Sequence, residues 1–408
     1  MALVSKTFSD IITFTRASTG TYFNSSGVLT SAAINAPRLD YDPITLAAQG
    51  LLIEEQRTNS IRNNTATGAV AGTPGTFPTN WAFAGSGIGT LTREIVETGT
   101  ANGIAYIDIK FTGTISTASF IVAFEPSTGG PAASASQTWT ASNYVAIVGG
   151  NTTNITAIRA VHVTARTAAG AAVLADEFNS GNSLSSLTTT LQRFSASRTL
   201  TEATTAALQP GVYLSLGTGT IGDPTNGITI RIGLPQLELG AFATSVIPTS
   251  TVAVTRSADV ASVNTLSPWY NATEGTLYAE SAAIAFTARP ASFNDGTQSN
   301  AIGLTQTAAS IGQNTYVGNV FQGTAGVAGT YTTNAVYKQA SAYKLNDAQD
   351  AVNGTTNATD TTFGVPAVTQ LLIGQGRAGA TQITNSWIRR IDYYPHRLSN
   401  AELQAITT

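Results

Sequence analysis

The sequence predicts an all-β chain, and three observations carry that expectation. Runs of residues alternate apolar and polar with period two: Ile107, Ile109 and Phe111 stand against Asp108 and Lys110, and Ile228, Ile230, Ile232 and Leu234 stand against Thr229 and Arg231. Such alternation describes antiparallel strands with one buried face. The composition agrees, because only 11% of the 408 residues are charged while 42% are hydrophobic. Thr, Ser, Asn and Gly supply the polarity, a mixture that favours many short strands joined by turns. Helical periodicity, finally, is confined to the last turns of the chain.

Taken in order, residues 1–62 hold short extended pieces at Ile11 to Arg16, Val28 to Ser31 and Gly50 to Glu55, separated by Gly20, Ser25-Ser26-Gly27 and Pro37. They have too little mass for a private core, so their strand edges are expected to pair with other proteins or with sister subunits. Asn63 to Phe77, with Gly68, Gly72, Pro74 and Gly75, reads as a linker or long loop. Residues 63–250 form a second module, with further strands at Phe120 to Phe124, Tyr144 to Val148, Ala157 to Arg166 and Val212 to Leu216. That is enough for two packed sheets, as in a jelly roll.

Residues 251–408 form the third module. Val252 to Ala258 (VAVTRSA) echoes Ile12 to Ser18 (ITFTRAS), which reads as two similar strand starts. Asn353-Gly354 predicts a hairpin, since a type I′ turn needs positive φ at both central residues. Trp387, Arg389, Ile391 and Tyr393 are expected on one face of a strand closed by Pro395. Ser399 and Glu402 then form a capping box, with Leu398 and Leu403 as a hydrophobic staple. The chain therefore ends in a strand and a short helix.

A net charge of -3 offers no basic stripe for phosphates, so nucleic acid is not an expected partner. Zero cysteines remove disulfides, thiol catalysis and Cys-ligated zinc. No 18 apolar residues run together, so no membrane insertion is expected, and the protein is read as made in the cytoplasm and soluble.

No motif assembles a catalytic site. G-x-G-x-x-G occurs at Gly217, Gly219, Gly222 and at Gly374, Gly376, Gly379, but neither run opens a helix, so these read as turn glycines. Adjacent Glu54 and Glu55 point to opposite faces of a strand. Glu274 and Glu280 are six residues apart, roughly 20 Å along a strand, too far for a carboxylate pair. His162 and His396 have no nucleophile elbow near them. Asp347, Asp350 and Asp360 leave calcium open as a loop-oxygen ligand, although their spacing matches no EF-hand. Trp81, Trp139, Trp269 and Trp387 could each offer an aromatic face to a sugar, but each lies at or in a strand pattern, which favours core packing. The expectation is thus a chain without catalytic residues or a resident metal, its ligand-binding residues undefined.

Three runs, Ile12 to Tyr22 (ITFTRASTGTY), Pro37 to Pro43 (PRLDYDP) and Gly50 to Asn59 (GLLIEEQRTN), resemble the opening of many tailed-bacteriophage virion proteins. Trp139 to Val145, Leu191 to Phe194 and Pro235 to Thr249 are similar to the carbohydrate-binding-like jelly rolls that follow there. Trp269-Tyr270, Gly275 to Leu277, Ala342 to Lys344, Asn353-Gly354 and Arg389 to Leu403 resemble phage concanavalin-like, laminin-G-type lectin domains. The resemblance implies a virion-attachment segment in residues 1–62, separable from a concanavalin-like domain in residues 251–408. It also implies a non-enzymatic spike, fibre or decoration protein of the virion. Other virion proteins, host-surface glycans and sister copies, with a trimer favoured, are its implied partners. The Glu-x-Asp-x-x-Glu strand of concanavalin-like hydrolases has no match in residues 251–408, and long heptad or collagen-like stalks are missing too. A polysaccharide depolymerase and a purely structural capsid decoration protein are the alternatives.

Overall fold

The computed structural model describes residues 7–86, 88–116, 118–323, 326–376 and 382–408. It is almost all β, with 49% of residues in strands and 4% in helices. The chain divides into two units: Met1–Gln56 together with Arg256–Thr408, and Arg57–Thr255. The second unit is an insertion in the first.

This division differs from a separate segment over residues 1–62. In the first unit, Thr13–Thr15 pairs antiparallel with Val260–Val263, and Ala48–Ile53 pairs with Ser386–Tyr394. The early strands, too few for a core of their own, are built into sheets supplied by the other end of the chain. One sheet runs in the order Thr355–Thr356, Asp347–Val352, Val336–Lys344, Glu274–Ala283, Ser386–Tyr394, Ala48–Ile53, Leu39–Tyr41. The other runs Thr13–Thr15, Val260–Val263, Gln370–Ile373, Ala291–Asn294, Ala301–Gln306, Ser310–Val317, Val320–Phe321. Phe14, Ile53, Leu277, Phe293, Leu304 and Ile388 fill the space between them.

The C-terminal strand does not keep one face throughout. A bulge sets Glu280 opposite Arg390 but Ser281 opposite Ile388, so Arg389 is the extra residue. The phase therefore flips: Ile388, Ile391 and Tyr393 pack on the core while Trp387 reaches Asp40. A two-for-one bulge does this to any period-two pattern. Gly275 serves the same packing, since a Cβ there would come within 2.7 Å of the hydroxyls of both Tyr343 and Tyr393. The hairpin at Asn353-Gly354 forms as expected, with φ of 46° and 80° and Val352 opposite Thr355. So does the helix Asn400–Thr407, whose cap accepts Glu402 N on Ser399 Oγ, with Leu398 and Leu403 in one cluster beneath it.

The inserted unit is a two-sheet sandwich. Its sheets run Phe178–Asn179, Ile155–Arg166, Ala207–Leu216, Ala118–Ala123, Ala82–Ser86, and Gln192–Thr199, Thr138–Gly150, Ile228–Leu239, Ile104–Thr112, Thr92–Ala101. Ile107, Ile109, Phe111, Ile228, Ile230 and Ile232 point inward, as their alternation predicts. Leu234 leaves that row. It stands at φ 40° before Pro235, where the ladder to Thr138–Gly150 slips a residue, and the inward phase resumes at Leu237. Asn63 to Phe77 is no linker either. Asn63 and Asn64 are fully buried, Asn63 Nδ2 donates to the carbonyls of Thr67 and Thr79, and Asn64 exchanges bonds with Thr249. Buried amides close this loop onto the unit, as unsatisfied backbone groups require.

Candidate functional site

The residues of the N-terminal runs converge, but on an ionic core closed to solvent. Arg16 Nη1 lies 3.1 Å from Asp259 Oδ1, Arg38 Nη1 lies 2.8 Å from Glu54 Oε2, and Arg256 Nη2 lies 3.4 Å from Glu54 Oε2. Arg38 also bonds Asp259, and Glu54 N donates to the same carboxylate at 2.9 Å. All five side chains are at most 1% exposed. The echo between ITFTRAS and VAVTRSA thus has a structural cause, for Arg16 and Arg256 meet on Asp259. Nearby Asp40 is pushed above the usual carboxylate range by burial, although Trp387 Nε1 and Phe23 N donate to it. Charges so enclosed cannot meet a ligand. They hold residues 16–54 to residues 256–259.

The other sequence candidates separate. Glu274 accepts from Arg397 N at 3.1 Å, while Glu280 lies 3.9 Å from Arg389. Asp347 pairs with Arg397, Asp350 is buried against Ser341 and Asn357, and Asp360 closes its own turn through Thr362. No group of three acidic or histidine side chains suited to a metal occurs among the described residues. Gly222 and Gly374 occupy positive-φ bends, whereas Gly219 has positive φ inside a short strand paired with Thr114–Ile115, and Gly379 lies outside the described residues. Trp81 is core, its ring tilted 56° to that of Phe124 with centroids 4.6 Å apart. Trp269 and Trp387 are half-buried, and His396 is exposed.

Trp139 borders a cavity. It is 5% exposed, and it lines an open pocket of about 310 Å³ in the inserted unit, with Ser60, Arg62, Gly129, Gly130, Pro131, Ala132, Val252 and Ala253. Arg62 is positioned from below: its N and Nε donate to fully buried Glu125 at 2.7 and 2.9 Å. That carboxylate offsets the guanidinium charge and fixes its plane, so Arg62 presents donors without a strong field. Gly130 has no room for a side chain, since a Cβ would sit 2.7 Å from Leu208 O. Apolar walls, an aromatic side chain and a few convergent polar groups are the usual make-up of a small-ligand site. Nothing in the spacing of these residues announces the pocket, because they come from four separate stretches.

The outer face of the sheet containing Ile155–Arg166 carries a second polar cluster. His162 packs on Tyr213 with ring centroids 4.9 Å apart, and Nε2 lies 3.1 Å from Thr164 Oγ1. Burial lowers its pKa to about 4, helped by Arg159 and Arg166, with Glu177 3.7 Å from Nδ1. The unfolded chain binds this proton first, near the ordinary value of about 6.5. Stability should therefore fall as pH drops from about 6.5 to about 4 and level off below, by roughly 3 kcal/mol at most. Equilibrium unfolding at pH 7 and pH 4.5 measures this, and His162→Gln should lose much less than the parent over that interval. Equal losses in both proteins would remove His162 as the source.

No protein-family model matches the chain, and no curated protein does. Among solved structures it is similar to a native heptameric SAP-like pentraxin from Limulus polyphemus, at 9% identity and a TM-score of 0.28 over 34% of this chain and 70% of that one. It is also similar to Trypanosoma rangeli sialidase, at 10% identity and a TM-score of 0.28 over 95% of this chain and 76% of that one. Likenesses of this extent say nothing about ligand or activity.

Proposed function

We propose that the protein is a non-enzymatic adhesion component of a tailed-phage virion that holds glycans weakly and in multiple copies. The pocket beside Trp139 carries the ligand part of this reading. Its volume of about 310 Å³ suits a single sugar ring, and Trp139, Ser60 and Arg62 supply an apolar surface and hydroxyl-matched donors. The resemblance of Ile12 to Tyr22, Pro37 to Pro43 and Gly50 to Asn59 to phage virion proteins supports the location. A homotrimer, the arrangement that resemblance favours, would convert weak single sites into useful avidity.

A glycan array probed with the purified protein, repeated with Ala132→Trp, tests the pocket. Ala132 is exposed at the rim, so the larger side chain fills the opening without entering the core. The parent should bind a defined set of glycans and the variant should lose at least about tenfold in apparent affinity, the scale set by losing one good contact. Unchanged binding would move the site elsewhere. Release of reducing ends from a bound polysaccharide would replace adhesion with depolymerase activity, and detection of the protein in purified particles by mass spectrometry tests the location.

A further inference from the structure

Among the described residues that line the pocket beside Trp139, Arg62 alone carries a charge. Its counter-charge is out of a ligand's reach. Glu125 is fully buried and does not line the pocket, yet it accepts from Arg62 three times, from the backbone N, from Nε and from Nη2. Gln209 Nε2 donates to Glu125 O at 3.1 Å, so the backbone that carries the carboxylate is anchored as well. Both the main chain and the side chain of Arg62 are thereby fixed before a ligand arrives, which removes the cost of ordering a long side chain on binding.

The carboxylate occupies the Nε and Nη2 edge of the guanidinium. Nη1 makes no bond to the described residues and the side chain is 36% exposed, so the Nη1 hydrogens are donors left for a ligand. Trp139 adds no donor, because its Nε1 already bonds Gln137 Oε1 at 3.1 Å. An ion pair met at its positive end attracts an anion only by the difference between the near charge and the far one. A carboxylate ligand must still give up its hydration to enter, whereas a hydroxyl oxygen gives up far less. Paired in this way, Arg62 offers hydrogen bonds but little net attraction for negative charge.

We infer that Glu125 sets the selectivity of this pocket, making it take uncharged hexosides in preference to hexuronides. It acts through Arg62 and never touches the ligand, so it is a positioning residue. A guanidinium without that partner would favour the uronide, whose two oxygens match the fork in a charge-assisted pair. The inference rests on the glycan-adhesion reading above and adds the class of sugar.

The test titrates full-length protein with methyl glucoside against methyl glucuronide, and with methyl galactoside against methyl galacturonide. ¹⁵N-labelled indole signals follow binding, that of Trp139 identified by its loss in Trp139→Phe. The parent should bind at least one neutral member, about threefold or more tighter than its acid. Glu125→Gln should raise the acid-to-neutral affinity ratio about tenfold, and added salt should erase that rise, which a merely structural role would not produce. Arg62→Lys keeps Glu125 paired and should lose about tenfold in affinity for the neutral sugar, since an ammonium lacks the fork that Glu125 orients. A parent that prefers the acid, an unchanged ratio in folded Glu125→Gln, or unchanged affinity in Arg62→Lys would overturn the inference and leave adhesion standing. So would binding on the array with no methyl glycoside bound. If Glu125→Gln does not melt cooperatively, the parent's preference and Arg62→Lys decide in its place. No binding to any methyl glycoside and none on the array removes the adhesion reading with it.

Discussion

Replacing Asp259 with Ala is expected to cost the first unit about 3–5 kcal/mol, the loss that follows when one partner of a buried ion network is removed. Asp259 accepts from Arg16 Nη1, Arg38 Nη2 and Glu54 N, and neither arginine nor Glu54 can turn to solvent, since all are at most 1% exposed. Asp259→Ala leaves three guanidiniums facing Glu54 alone in a site that water does not reach. Denaturant unfolding of parent and variant measures the difference. A loss below about 1 kcal/mol, the range of exposed pairs, would mean that this network contributes no more than surface charge.

Deleting residues 1–56 is expected to leave residues 256–408 unfolded. The deletion removes Phe14, Leu51 and Ile53 from the core, two strands from one sheet and one from the other, and every basic partner of Asp259 except Arg256. The complementary change should be tolerated. Thr58 Oγ1 and Thr255 Oγ1 are 2.8 Å apart within the inserted unit, and Arg256 Nη2 donates to Glu55 O at 2.9 Å within the other. The ends of each unit are therefore adjacent. Joining residue 56 to residue 256 through a few flexible residues closes only a short loop, so the first unit should keep its β-rich circular dichroism and a cooperative melt without residues 57–255. A folded 256–408 fragment would restore the separable N-terminal segment that the sequence suggests and would contradict the shared core. Failure of the joined chain to melt cooperatively would show that the inserted unit is needed for stability as well.

The sequence by itself determined the class of the fold, several of its elements and its C-terminal cap. Alternation at Ile107 to Phe111 and Ile228 to Ile232 placed the right residues in the core because side-chain direction in a strand depends on local geometry alone. Asn353-Gly354 and Ser399 to Glu402 were legible for the same reason, since a type I′ turn and a capping box are closed within four residues. Only the tertiary structure decided which strands share a sheet, and so that residues 1–56 belong with residues 256–408. It also decided where a bulge or a left-handed residue flips the phase, as at Arg389 and Leu234, because a slip depends on the neighbouring strand's register. The candidate site fell wholly in this second class. Trp139 was visible as an aromatic, but the pocket assembles Ser60, Arg62, Gly130 and Val252 across 192 positions of chain. His162 and Tyr213 meet only through the pairing of two strands distant in sequence, which a local pattern does not record.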